Sequence, residues 1–269
     1  MIRRIQLIKD DKRDLSMSVI LEMKNLSRNF GGVKAVSCLC AGVEEGRITA
    51  LIGPNGAGKT TAFNLVTGLI PITDGNVMFR GKDITGLPPW RIASLGIART
   101  FQNIRIFPNM TALENVMVGL HTRSNKGFFS TALTLPGVRR EEQFIHDEAE
   151  KALEFVGLSN RARHNAAGLP FGQQRLLEIA RALALNPNLL LLDEPAAGLN
   201  TQETLVLGGL IHRILDRGVT VFIVEHDMEL VMKISHEVMV LNNGQLIACG
   251  TPSEIQDNPE VITAYLGRD

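Results

Sequence analysis

The stretch Gly53-Pro54-Asn55-Gly56-Ala57-Gly58-Lys59-Thr60-Thr61 constrains this chain more than any other. It fits the pattern G-x-x-x-x-G-K-[ST], in which glycines let successive backbone N–H groups turn inward around an anion. The flanks suit that reading. Ile48-Thr49-Ala50-Leu51-Ile52 is an aliphatic, β-branched run that predicts a buried strand. Thr60 to Gly68 predicts a helix ended by a glycine. Strand, loop and helix in that order set a helix N-terminus, with its partial positive charge, against a phosphate. Lys59 then reaches the β- and γ-phosphates of a nucleotide, and the Thr60 hydroxyl can ligate magnesium. A Gly-rich turn matching by chance would lack this context.

The rest of the composition removes several classes. Lys plus Arg and Asp plus Glu both number 28, so no net field draws the chain to nucleic acid or to an anionic membrane. A hydrophobic content of 45% is ample for a core in one large domain or two lobes of a 269-residue chain. No run approaches the roughly 18 apolar residues of a membrane span, and no signal-peptide core is present near the start. The three cysteines form no C-x-x-C, which argues against zinc and disulfides. Cys38 and Cys40 alternate on an expected strand and share a face, for which packing is the natural reason. These features together predict a cytosolic protein that reaches any membrane through a partner.

Residues 1–16 are charged and lack a period, so they read as a disordered extension ahead of a start at Met17, with an additional strand as the alternative. Residues 19 to 52 predict several short strands, with turns at Gly31-Gly32 and Glu44-Glu45-Gly46. Phe30 ends the first, where an aromatic ring is either core or a platform for a purine. Asp74-Gly75-Asn76 reads as a turn before a strand at Val77-Met78-Phe79-Arg80. Pro88-Pro89 opens a helix to Leu95. Gln102 follows the short run Ile97-Ala98-Arg99, placed to offer its side-chain carbonyl to magnesium or to an attacking water. From 103 to 186 the pattern turns helical, with a capping box at Thr111-Ala112-Leu113-Glu114 and an amphipathic run from Arg139 to Val156. The Phe128-Phe129 pair within it reads as a packing contact or a docking surface.

Two carboxylates then appear in a telling place. Leu189-Leu190-Leu191-Leu192 predicts a strand buried on both faces of a parallel sheet. Asp193 and Glu194 follow at its C-terminal end, where α/β sheets carry their chemistry. Asp193 suits magnesium, usually through water. Glu194 suits the polarisation of a water attacking the γ-phosphate. Helix capping is the plain alternative for such a pair, and the phosphate loop weighs against it. A second buried strand, Gly218 to Val224, ends in Glu225-His226-Asp227, where a neutral imidazole can sense the γ-phosphate. Ala197 to Asn200 reads as a turn before a helix over 202–216, and two strands (238–241 and 245–249) and a helical tail close the chain.

Taken in order, these elements resemble the nucleotide-binding subunit of an ABC transporter over residues 18 to 267. Phe30 falls at the A-loop aromatic, Gly53 to Thr60 at Walker A, Gln102 at the Q-loop, and Leu169-Pro170-Phe171-Gly172-Gln173 at the signature. Leu189 to Asp193 with Glu194 falls at Walker B, Ala197 to Asn200 at the D-loop and His226 at the switch. Local runs such as Gly96-Ile97-Ala98-Arg99-Thr100-Phe101-Gln102 and Asp193-Glu194-Pro195-Ala196-Ala197-Gly198-Leu199-Asn200 are most similar to the LivG type from branched-chain amino acid importers. Urea importers are similar, and lipopolysaccharide exporters less so. The resemblance implies an α/β fold: a P-loop nucleotide-binding core with a mixed sheet (17–102 and 187–269), an antiparallel β subdomain and an inserted helical subdomain (103–186). It implies an ATPase using ATP and Mg2+. ATP would be held by Phe30, Gly53, Asn55, Gly56, Gly58, Lys59, Thr60 and Thr61, and across a dimer by Gly172 and Gln173. Metal ligation falls to Thr60, Gln102 and Asp193, and catalysis to Glu194, His226 and Gln102. The implied partners are permease subunits, a second LivF-like ATPase and, indirectly, a periplasmic binding protein. The implied location is peripheral, on the cytoplasmic face of the inner membrane. Two departures stand out. Pro170 and Phe171 replace the usual Ser and Gly of the signature, and Asn200 replaces the usual D-loop Asp. A soluble ABC machine acting on DNA or ribosomes fits less well, because no sustained heptad separates Gly58 from Gly172 and there is a single cassette. A non-catalytic binding module would be expected to lack Lys59 or Glu194, and both are present.

Overall fold

The computed structural model describes residues 18–121 and 136–266. The extension expected over 1–16 and the Phe128-Phe129 pair lie outside the described residues. Two 12-residue strands come first, β1 (Val19–Phe30) and β2 (Val33–Glu44), paired antiparallel. The sequence predicted several short strands here, yet the chain makes two long ones. Bulges absorb the irregularity: Asn25 and Cys38 take left-handed φ of 52° and 49° where the register slips. Cys38 is left exposed and Cys40 half-buried, its Sγ 3.1 Å from Asn25 Oδ1. Packing therefore does not explain that pair of cysteines.

The chain continues through β3 (Ile48–Ile52), α1 (Lys59–Val66), β4 (Asp74–Phe79) and β5 (Lys82–Asp83). Asp74-Gly75-Asn76, expected as a turn, belongs to β4. Gly75 is needed for another reason: at φ 89° its Cα lies so close to β1 that a Cβ would collide with Asn25 O. The strands order as β2-β1-β4-β5 in an antiparallel sheet.

Next come α2 (Pro89–Ser94), β6 (Ile97–Arg99), α3 (Ala112–His121), α4 (Pro136–Val156) and α5 (Phe171–Ala184). The remaining elements are β7 (Leu189–Asp193), α6 (Thr201–Asp216), β8 (Thr220–Val224), α7 (Met228–Ile234), β9 (Glu237–Asn242), β10 (Gln245–Gly250), α8 (Pro252–Gln256) and α9 (Pro259–Leu266). A six-stranded sheet runs β10-β9-β3-β8-β7-β6, parallel throughout except for β10. Every residue of β3, β7 and β8 is buried. The period of two divides each strand between two cores. Leu190, Leu192 and Val221 join Val116, Leu153, Leu177 and Ile211 from the helices on one face. Leu189, Leu191 and Phe222 join Phe63 of α1 and Leu21, Val36 and Phe79 of the antiparallel sheet on the other. Each such leucine contributes about 1.5–3 kcal/mol by leaving water, so β7 stabilises both halves at once. The predicted capping box opens α3, with Thr111 N donating to Glu114 Oε2 at 2.7 Å.

Helix α5 is fastened to the segment after β6 by a buried ion pair. Arg175 Nη1 donates to Phe101 O (2.8 Å) and Nη2 to Gln102 O (2.9 Å), and Glu178 pairs with Arg175 at 3.1 Å. Glu178 Oε1 accepts from Arg105 N and Phe101 N. Burial raises the Glu178 carboxyl above the usual range, and Arg175 opposes that shift. Removing one partner of a buried pair leaves an uncompensated charge. Arg175→Met should therefore lose about 3–5 kcal/mol in urea denaturation. A loss below about 1 kcal/mol would place Arg175 outside the structural core.

Candidate functional site

The parallel strands all end at the same edge of the sheet, and the site is built from the segments that leave it. From β3 it departs through Gly53, at φ 150°, where a Cβ would collide with Leu241 O. Gly58, at φ 100°, lies equally close to Ala35 O of β2. Only glycine satisfies both the backbone angle and the space. Gly58 caps α1 without any side-chain bond, so the first N–H groups of that helix remain for an anion. Asn55, Gly56 and Thr60 are exposed and Thr61 half-buried around that concavity. Lys59 is folded onto the loop itself, with Nζ donating to Gly53 O (2.7 Å) and Pro54 O (3.1 Å). Burial lowers the Lys59 ammonium below its usual range, and Glu194 and Asp193 pull it back up.

The end of β7 brings the two carboxylates to the same place. Asp193 is buried, with Oδ2 2.6 Å from Arg99 Nη2 on the neighbouring β6. Its Oδ1 is buried with no partner. A buried carboxylate oxygen of that kind fits a hydrated magnesium ion. Glu194 sits at φ 46°, a left-handed conformation that costs a non-glycine residue about 1–3 kcal/mol. It is held there by its N–H on Val224 O at 2.8 Å. The bend sends its side chain to Gln102, whose Nε2 donates to Glu194 Oε2 at 2.8 Å. The carbonyl end of that amide is left for a ligand. His226 Nδ1 lies 3.7 Å from the same Glu194 oxygen, on a side chain 60% exposed.

The structure therefore brings together Lys59, Asp193, Glu194, Gln102 and His226, drawn from four separate stretches of sequence. Phe30 is exposed at the tip of the β1–β2 hairpin, with the Arg28 guanidinium 4.6 Å above its ring. The hairpin reaches the loop through Ala35. Gly172 and Gln173 belong to a different neighbourhood. Gly172 packs against Glu203 of α6, and the Phe171 ring against Gly198. Pro170 caps α5 with no side-chain bond. The Asn200 side chain caps α6 in a reciprocal box with Glu203.

Two participants escaped sequence reasoning. Arg99 joins Asp193 to α1, with Nη1 donating to Asn64 Oδ1 (2.8 Å) and Thr67 Oγ1 (2.9 Å). Its only signal is a cation in a run otherwise expected to be buried. Glu225 is fully buried and accepts from Ala196 N (2.7 Å), His226 N (2.9 Å) and Asp227 N (3.3 Å). It thereby ties the turn after Glu194 to the turn bearing His226. Burial raises its carboxyl above the usual range, against the pull of those amides.

Known proteins share this architecture. The family model described as ABC transporter matches residues 38–197, and one described as branched-chain amino acid ATP-binding cassette transporter matches residues 245–269. The high-affinity branched-chain amino acid transport ATP-binding protein BraF of Pseudomonas aeruginosa is 47% identical over 92% of this chain and 98% of its own length. LivG of Escherichia coli K12, of the same description, is 44% identical over the same shares. A nucleotide-free ATP-binding cassette from an ABC transporter superposes with a TM-score of 0.82 at 33% identity, covering 93% of this chain and all of that one. The ADP conformation of such a cassette gives 0.81 at 33%, with the same coverage. The loop, the paired carboxylates and the glutamine between them lie within the matched stretch, and the chain belongs to the ATP-binding cassettes of the ABC transporter family.

Proposed function

We propose that this cassette binds and hydrolyses ATP to drive a membrane transporter that imports branched-chain amino acids. One observation carries the catalytic part: Glu194, Gln102 and His226 meet at one carboxylate oxygen beside Asp193 and Lys59. The amino acid specificity is supported by relatives at 44–47% identity whose names state it. No helix among the described residues is long and apolar enough to cross a membrane. The proposed site of action is the cytoplasmic face of the inner membrane, held there by permease subunits, with a binding protein delivering the amino acid outside.

The chain's residues divide the work. The amides of the loop from Gly53 to Gly58, with Asn55, Gly56 and Thr61, cradle the phosphates, and Phe30 stacks on adenine. Lys59 leaves Gly53 O and Pro54 O for the β- and γ-phosphates. Thr60, Gln102 and Asp193 would hold magnesium, which when bound neutralises charge developing between those phosphates. Glu194 orients and deprotonates the attacking water, and His226 contacts the γ-phosphate. Gly172 and Gln173 face the ATP of a second ATPase subunit across a head-to-tail pair. The helical region 103–186 passes closure of the pair to the permease, and the buried Arg175 joins Gln102's segment to the signature helix along that path.

Three outcomes test this reading. Glu194→Gln should bind ATP normally and hydrolyse it about two to four orders of magnitude more slowly, the span of a general base. Steady-state turnover close to the native rate would remove Glu194 from that role.

Phe30→Ala should weaken ATP by about 1–3 kcal/mol, the scale of base–aromatic stacking. Because the ring is exposed, thermal stability should hardly move. Calorimetry giving equal ATP affinity would return Phe30 to the hairpin's own packing.

The signature concerns the partner. Pro170 offers neither hydroxyl nor N–H, so the phosphate facing this signature lacks a bond of about 1.5–3 kcal/mol. A mixed pair with a LivF-like subunit confines that deficit to one of two sites. In the reconstituted transporter, Glu194→Gln should abolish most turnover and Pro170→Ser should alter it far less. Purified chain that dimerises alone on ATP and turns over at the transporter's full rate would exclude the mixed pair.

A further inference from the structure

A buried Arg–Asp pair ordinarily closes as a two-toothed fork, one N–H on each carboxylate oxygen. Arg99 and Asp193 do not. Both are buried, with side chains 6% and 2% exposed, yet they share a single bond, Nη2 to Oδ2 at 2.6 Å. The other arm of the guanidinium, Nη1, turns away to Asn64 of α1 and to Thr67, which caps its C-terminus. Asp193 Oδ1 and Arg99 Nε are both left buried without a partner. The arrangement gives up a bond on each side that a purely structural pair would make. Rotation back to the fork is opposed by packing, because the guanidinium lies 5.6 Å from the Phe63 ring centre and 5.1 Å from that of Phe101. The Arg105 guanidinium also lies over the Phe101 ring, at 4.3 Å.

The group this geometry serves is the one that would take Oδ1. We propose that Arg99 is a positioning residue for magnesium: it grips one oxygen of Asp193, anchors to the helix that begins at Lys59 and Thr60, and so presents the other oxygen to the metal's water shell. Through α1 the same guanidinium ties the spacing between the carboxylate and the Thr60 hydroxyl to one rigid body. This rests on the ATP and magnesium reading given above. Arg99 touches neither nucleotide nor metal. Its effect should therefore be on metal dependence and much less on nucleotide affinity itself.

The test is a magnesium titration of fluorescent ADP binding, with parallel binding in EDTA. Partners that orient a metal ligand typically change metal affinity by about 10–100-fold, so Arg99→Met should raise the magnesium midpoint by that factor and leave binding in EDTA within about twofold. Arg99→Lys, which can hold Oδ2 but cannot span to α1, should fall between Arg99→Met and native. Asp193→Asn should raise the midpoint, and adding Arg99→Met to it should raise it no further. Asn64→Ala with Thr67→Val removes the anchor of Arg99, together with the Thr67 hydroxyl's bond to Phe63 O, and leaves Arg99 and Asp193 unchanged. That variant should also raise the midpoint, and it decides the matter if Arg99→Met does not fold. A native midpoint in the anchor variant, or Arg99 and Asp193 penalties that multiply, overturns the inference while leaving the site intact. A native midpoint in Asp193→Asn overturns the metal site and the inference with it.

Discussion

Two-sided burial of three parallel strands is the constraint on which the molecule depends. Strands β3, β7 and β8 have no exposed residue, so each is apolar but for Thr49, Thr220 and the terminal Asp193, and is covered above and below. Because they are parallel, they finish at one edge. The groups that carry chemistry gather at that edge: Gly53 and its loop, Asp193 at the last position of β7 with Glu194 after it, and Glu225 with His226. The site is thus a consequence of the hydrophobic sheet as well as an addition to it. A strand that stayed apolar one residue longer would displace its carboxylate into the loop.

Charges gathered at that edge are balanced in pairs. Lys59 faces Asp193 and Glu194, and Arg99 holds Asp193. Glu225 is the deepest of these groups and is satisfied by three amides. Amides stabilise a carboxylate without bringing a mobile counter-ion near the phosphate-binding loop. The left-handed Glu194 adds local strain, offset by the hydrogen bond from its N–H to Val224 O. What the strain achieves is direction. In an extended strand Glu194 would continue the alternation of β7 toward a core, whereas the bend delivers it to Gln102 and His226.

The second dependence is mechanical. Arg175 and Glu178 bond the signature helix to both the carbonyl and the amide groups of the Gln102 segment, in surroundings that exclude water. Hydrogen bonds in such surroundings are costly to leave unmade. A displacement of α5 therefore carries the Gln102 backbone with it. That gives a physical path between the glutamine that touches Glu194 and the helices that the proposed mechanism couples to the permease.

Much was legible in the linear sequence because it is local. The phosphate loop, the four buried leucines, the capping box at Thr111 and the carboxylates after β7 all depend on residues within about one turn or one strand of each other. Periodicity misled where tertiary contact overrode it. Asp74-Gly75-Asn76 has turn chemistry but is drawn into a strand by pairing with β1, and Cys38 is turned outward by a bulge that no alternation rule predicts. Pairing across long separations was not legible at all. Arg99 meets Asp193 across 94 residues, and Arg175 meets Phe101 O across 74. Sequence by itself determined the chemistry available: an anion loop, a lysine, two carboxylates and a histidine on an α/β frame. Only the tertiary structure decided which oxygen of Asp193 is held and which is open, that Glu194 bends back to Gln102, and that Gly172 packs against Glu203. Those outcomes depend on where separate elements come to rest, which packing of the two cores settles and no single stretch encodes.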